Sequence, residues 1–143
     1  MQWLCVDQGS VRIGIAVGST QTRIAAPVKV IAAQPPQAAL AEIGRLAQDY
    51  QAGGIVVGWP LNMDDGSEGP QADLARELAR QIVQTTGLDV RLWDERLSSF
   101  TADQSLAGHL TRKKRRARQD AIAAAAILQD FLMSDGADRA IRP

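Results

Sequence analysis

Two apolar runs, Trp3-Leu4-Cys5-Val6 and Ile13-Gly14-Ile15-Ala16-Val17, lie on either side of the short polar stretch Asp7-Gln8-Gly9-Ser10. Each run has strand length, and the linker has hairpin length, so the chain is expected to open as two antiparallel strands. Asp7 then stands at the lip of the sheet. Gly9 suits a turn position needing positive φ, and it also admits backbone or a ligand close to Asp7. Two readings of Asp7 stand. It is a turn acid and nothing more, or it does chemistry because other acids converge on it.

The rest of the chain alternates strand and helix signals. Pro27-Val28-Lys29-Val30-Ile31-Ala32 predicts a third strand opened by proline. Leu40, Ile43, Leu46 and Ala47 recur at helical spacing and predict a helix from Gln37 to about Tyr50. Ile55-Val56-Val57-Gly58 is a short run suited to a fully buried strand. Pro70, with Gly69 or Ser67 near the cap, opens a helix whose buried stripe is Leu74, Leu78, Ile82 and Val83, and Thr86-Gly87 stops it. Residues 88–93 predict a fifth strand running into Asp94-Glu95-Arg96. A helix capped by Ser98 or Ser99 to about His109, a loop over 110–116 and an alanine-rich helix from about Arg118 to Leu132 complete the pattern. Residues 134–143 are expected to be a loose tail. Three early strands without helices pair antiparallel, and the later crossovers pair parallel. The expectation is one α/β domain over 1–143, a five-stranded mixed sheet with helices on both faces.

Composition narrows the function classes. The chain has 143 residues, 45% hydrophobic and 22% charged, and 16 Lys and Arg balance 16 Asp and Glu. Such a length buries one real core, and a net charge of +0 leaves no global field for a polyanion. A nucleic-acid partner must therefore be met by a local patch. The single Cys5, mid-strand, reads as a small buried hydrophobe. No secretory pattern opens the chain and no apolar run approaches the roughly 20 residues that span a bilayer. A soluble cytoplasmic protein without membrane contact, monomer or homodimer, is the expectation.

Ligands in sheets of this kind bind beyond the carboxyl ends of the strands. Asp7 ends the first strand, Glu95 follows the fifth, and Asp120 opens the last helix. If the three share one sheet edge, their oxygens are the hard ligands that Mg²⁺ and Mn²⁺ prefer, and two such ions serve phosphodiester cleavage. The plainer readings are that Asp120 complements a helix dipole and that Glu95 pairs with Arg96 or another surface Arg.

Asp7-x-Gly9 with Arg12-Ile13-Gly14, Gly58-x-Pro60-Leu61-Asn62, 66–72 (GSEGPQA) and Trp93-Asp94-Glu95-Arg96-Leu97 together resemble the YqgF (RuvX) family. Arg112-Lys113-Lys114 and Asp120 with its alanine-rich helix match as well, so the resemblance covers almost the whole chain. These are bacterial ribonuclease H-like proteins, described as Holliday junction resolvases and implicated in maturing the small-subunit ribosomal RNA precursor. The resemblance implies a ribonuclease H-like fold, with Asp7, Glu95 and Asp120 as metal-binding catalytic acids. Val11 departs from the pattern, where a polar or basic residue is expected.

Arg112, Lys113, Lys114, Arg115 and Arg116 form a basic run beside Asp120, placed for phosphate contacts that position a strand without reading its sequence. Such a run is otherwise a solvated face. Arg12, Arg96 and Asn62 are further candidates for contacting nucleic acid. Asp64 and Asp65 read as turn residues, Trp59 and Trp93 as packing, and His109 as a helix-end residue. The leading expectation is a Mg²⁺- or Mn²⁺-dependent nuclease working by two metals on structured RNA or branched DNA. Its rival is a binding module with this fold and no catalysis.

Overall fold

The computed structural model describes residues 1–62, 64–95 and 112–143, with 112–118 described through their backbone alone. Its elements are β1 (Gln2–Gln8), β2 (Arg12–Ser19), β3 (Ala25–Ala32), α1 (Pro36–Asp49), β4 (Gly54–Trp59), α2 (Pro70–Thr86), β5 (Asp89–Asp94), α3 (Arg112–Met133) and α4 (Gly136–Arg139). The strands lie in the order β3-β2-β1-β4-β5. β1 pairs antiparallel with β2, and β2 with β3, while β1–β4 and β4–β5 are parallel. Short connections force the first three strands into a meander, and the crossovers through α1 and α2 force the last two parallel.

Each sheet face carries its own core. Leu4, Val6, Ile13, Ile15, Ile55 and Val57 pack against α1 and α2. Trp3, Cys5, Ala16, Val56 and Trp93 pack against Ala124, Ile127, Leu128 and Phe131 of α3. β4 is therefore buried on both faces, which its unbroken apolar run anticipates. Phe131 anchors α3 by standing edge-on to Trp3 and Trp93, with ring centroids 4.9 and 5.6 Å apart. Gly69 caps α2 and Gly87, with φ 69°, closes it by donating its N–H to Val83 O at 2.8 Å.

Several expectations change. The buried face of α2 is Ala72, Ala75, Leu78, Ala79 and Ile82, and of the stripe expected there Leu74 and Val83 are exposed. β3 starts at Ala25, and Pro27 sits inside it, on an edge strand opposite a register shift between Ile15 and Ala16. α3 starts at Arg112, so 112–116 are helix and not loop, and Asp120 lies two turns inside the helix rather than opening it. Lys and Arg are good helix formers; a charge run without apolar periodicity hides that. Residues 134–143 are docked, not loose. Leu92 N–H donates to Ile141 O at 2.7 Å, Ile141 N–H returns to Leu92 O at 3.3 Å, and Arg91 Nη1 donates to Ala137 O at 3.0 Å. This end of the chain covers part of the open edge of β5. The helix expected over 98–109, with His109, lies outside the described residues. Among those described, no helix is long and apolar enough to cross a membrane.

Candidate active site

Strand alternation brings the acids together. On β1 the residues facing α3 are Trp3, Cys5 and then Asp7; on β5 Trp93 faces α3, and Glu95 comes two residues later. Asp7 is paired with Gly14 of β2, and the neighbouring Val6 pairs with Val57, which puts Gly58 of β4 on its other flank. Both glycines are spacers. A Cβ at position 14 would overlap the backbone carbonyl of Asp120, so the bare strand lets α3 lie directly on the sheet beside Asp7. A Cβ at position 58 would overlap Glu95 Oε1, so the second bare position admits that carboxylate.

Glu95 and Asp7 are hydrogen-bonded to one another. Burial, the Asp7 charge and that hydrogen bond push the Glu95 carboxyl up to about 8. Burial also raises Asp7, against the lowering effect of the bond from Glu95, and Asp120 adds like-charge repulsion. The pair thus shares one proton near neutrality, held by Glu95 and donated to Asp7. Asp120 is differently engaged. Its Oδ2 accepts from Arg12 Nε at 2.6 Å, and both side chains are about a third exposed. Asp7, Asp120, Arg12 and the β1–β2 turn line an open cleft of about 310 Å³.

Carboxylate oxygens suit a hard divalent cation, and a proton shared by two buried acids is what such a cation displaces. Asp7 and Glu95 fit that role in kind and place. Asp120 stands beside them with its charge turned toward Arg12, and among the described residues no three acidic, His or Cys side chains group closely enough to hold a metal.

The family model described as "RuvX: Holliday junction resolvase" matches residues 1–134. The chain belongs to the RuvX (YqgF) family. A relative from Anaeromyxobacter dehalogenans, named "Putative pre-16S rRNA nuclease", is 46% identical over 133 residues, covering 92% of this chain and 96% of its own. Relatives of the same name from Chloroflexus aurantiacus and Bordetella pertussis are 42% and 43% identical, covering 90% of this chain and 84% and 91% of theirs. Thermus thermophilus RuvC, solved in complex with a Holliday junction substrate, superposes with a TM-score of 0.64 at 11% identity, over 100% of this chain and 99% of that one. The fold is ribonuclease H-like.

Asn62 Nδ2 donates to Ser67 Oγ at 2.9 Å, and Asp65 Oδ1 accepts from the N–H and hydroxyl of Ser67 at 2.9 and 2.7 Å. Asp65 is the turn residue expected, and Asn62 closes the same loop. Trp59 and Trp93 are buried, with Arg76 5.2 Å above the Trp59 ring and Trp93 Nε1 donating to Asp130 at 2.9 Å. Arg96 lies outside the described residues, and 112–116 form the start of α3. Gly9 lacks the positive φ expected of it; among the described glycines that conformation belongs to Gly66 and Gly87. Its small size serves the turn instead, because its N–H reaches Arg12 O at 2.8 Å and a Cβ would lie 2.7 Å from that oxygen. Sequence reasoning missed the two spacer glycines and the Arg12–Asp120 pair. A glycine facing one way in each of two apolar strands was the available signal for the first.

The shared proton sets a pH dependence. Glu95 keeps its proton to about pH 8 when folded but releases it near its ordinary value of 4.5 when unfolded, so stability is full below the latter and falls as pH rises toward the former. A shift of one unit is about 1.4 kcal/mol, giving on the order of 3 kcal/mol after partial solvent screening. Melting in chelator should fall between about pH 5 and 8.5 for the wild type and much less for Glu95→Gln. Equal slopes would show that Glu95 does not hold the proton.

Proposed function

We propose that this chain is a divalent-metal-dependent nuclease that hydrolyses phosphodiester bonds in the precursor of small-subunit ribosomal RNA, in the cytoplasm. The observation that carries the reading is the hydrogen-bonded Asp7–Glu95 pair at the carboxyl edge of the sheet, with Asp120 of α3 beside it. The names of relatives above 40% identity favour RNA over branched DNA as the substrate. Asp7 and Glu95, with Asp120 once Arg12 has turned away, would hold Mg²⁺ or Mn²⁺, as a two-metal mechanism would require. The bound cations supply charge for activating a water and stabilising the leaving oxygen. Arg12, freed from Asp120, reaches the scissile phosphate from the β1–β2 turn. The basic residues 112–116, Asn62 and Arg96 hold the flanking phosphates and sugars, with backbone contact rather than base reading as their role. Gly14 and Gly58 keep the acids in place.

The test is single-turnover cleavage of precursor ribosomal RNA, a four-way DNA junction and single strands, each in Mn²⁺ and in chelator. Metal-dependent cleavage of the RNA alone supports the full reading. Preferred cleavage of the junction reassigns the substrate. Tight binding in chelator with no cleavage in Mn²⁺ would make the chain a binding module, the reading that the Arg12–Asp120 pair favours.

Arg12 separates these outcomes further. A partly exposed ion pair is worth about 0.2–1 kcal/mol, so Arg12→Gln, which releases Asp120, should tighten Mn²⁺ binding by roughly two- to fivefold in calorimetry. The same change should lower nucleic-acid affinity in chelator and reduce its salt slope by about one phosphate. Unchanged Mn²⁺ affinity would mean that Asp120 takes no part in holding the ion.

A further inference from the structure

A second cleft, of about 390 Å³, lies across the β1–β2 turn from the acids, between that turn, the start of α1 and the outer face of α2. It shares Gln8, Gly9 and Ser10 with the acid cleft, so the turn is a common wall between the two. We propose that this cleft is a subsite for one unpaired nucleobase of the strand whose phosphate lies against the acids. The proposal rests on the nucleic-acid reading above and adds a place where base chemistry, rather than backbone charge, is met.

The lining has the right chemistry. Four side-chain amides converge there, Gln8 from the end of β1, Gln34 from ahead of α1, and Gln71 and Gln81 from α2. Sequence positions 71, 74, 78 and 81 recur at three- and four-residue steps, which sets them on one face of the helix. None of the four amides is hydrogen-bonded to the described chain, although their side chains line one confined space. Each amide offers two donors and an acceptor, the complement of the mixed edge of a base. The walls behind them are apolar: Ile13 and Leu78 are buried, and Leu74 is 55% exposed at the mouth. A flat ring with an apolar face and a polar edge fits such a lining.

Charge decides against the other half of a nucleotide. The one charged side chain lining the cleft is Glu77, an anion, which repels phosphate. The cationic Arg12 and the acids lie on the other side of the shared turn. A strand crossing the turn therefore meets cation and acids with its phosphate and neutral amides with its base. The base must be unpaired, because its hydrogen-bonding edge is otherwise taken by a complementary strand.

The test uses the full-length chain in chelator, with affinities measured for a single-stranded RNA and for an abasic strand of equal length. Gln71→Ala and Gln81→Ala are combined; Gln71 is exposed, Gln81 is half-buried, neither belongs to the core, and Ala is the best helix former, so the fold is retained. A pair of good amide–base contacts corresponds to roughly tenfold in affinity, and that loss is expected for the base-bearing strand. The abasic strand should bind wild type and variant equally, and the salt slope should not change because no phosphate contact is removed. Unchanged affinity for the base-bearing strand, or an equal loss for the abasic strand, overturns the proposal. Wild-type protein that binds neither strand overturns this proposal and the nucleic-acid reading together. Absent cleavage with the expected base-dependent loss would sink the nuclease reading and leave the subsite standing.

Discussion

Asp7→Asn is expected to lower single-turnover cleavage in Mn²⁺ by at least about 100-fold, since even partners of metal ligands cost 10–100-fold when removed. The replacement keeps the side-chain shape and removes the negative charge that a hard cation requires. Its effect on folding should have the opposite sign. Asp7 is largely buried beside Glu95 and feels Asp120, so its ionised form is disfavoured by burial and by repulsion. The variant should melt at or above the wild-type temperature near neutral pH in chelator. Binding of nucleic acid in chelator should persist, because the phosphate contacts proposed above are assigned to Arg12 and residues 112–116 rather than to Asp7. Adding Glu95→Gln should cost little more, since members of one catalytic unit are strongly non-additive. Cleavage at the wild-type rate by Asp7→Asn would sink the proposed mechanism. A fall in melting temperature together with lost cleavage would instead make Asp7 structural.

Gly14→Ala is expected to destabilise the fold by about 3 kcal/mol, at the upper end of what overpacking costs, or roughly 10 °C in melting temperature for a chain of this size. The added methyl would overlap the Asp120 carbonyl, and that atom is helix backbone, which no rotamer change can move aside. Relief requires lifting α3 off β2, and with it the Phe131 contacts to Trp3 and Trp93. Cleavage should fall even at temperatures where the variant is folded, because Asp120 rides on the displaced helix. Gly44→Ala is the control. Position 44 is in α1, where a Cβ would meet Thr85 and Thr86 at an ordinary 3.9 Å, and Ala should stabilise by up to about 1 kcal/mol. Equal melting of Gly14→Ala and wild type would show that α3 does not lie as closely on β2 as the geometry requires.

The spacer role of Gly14 shows where local reading stops. Periodicity in Leu40, Ile43 and Leu46, and the unbroken apolar run at 55–57, disclosed α1 and β4 because burial along a single element repeats with that element's own geometry. The start of α3 escaped the same reading because the run Arg112-Lys113-Lys114 has no apolar face to repeat, although its residues favour helix. The end of the chain looked loose for a similar reason. What docks residues 137–141 is the unpaired edge of β5 and the guanidinium of Arg91, and neither is visible from the tail itself.

The candidate site divides along the same line. From the sequence by itself Asp7 and Glu95 were legible at the ends of strands, because turn chemistry and strand alternation are local properties of Asp7-Gln8-Gly9 and of the run into Glu95. Asp120, expected to open a helix, lies instead two turns inside α3. The tertiary structure decided what each acid faces. Asp7 and Glu95, 88 residues apart in the chain, are brought within hydrogen-bonding reach of one another. Asp120 is turned to Arg12 across 108 residues, and two glycines make the room. Charge, burial and shared protons depend on distances through space, and those are fixed only when distant elements pack against each other.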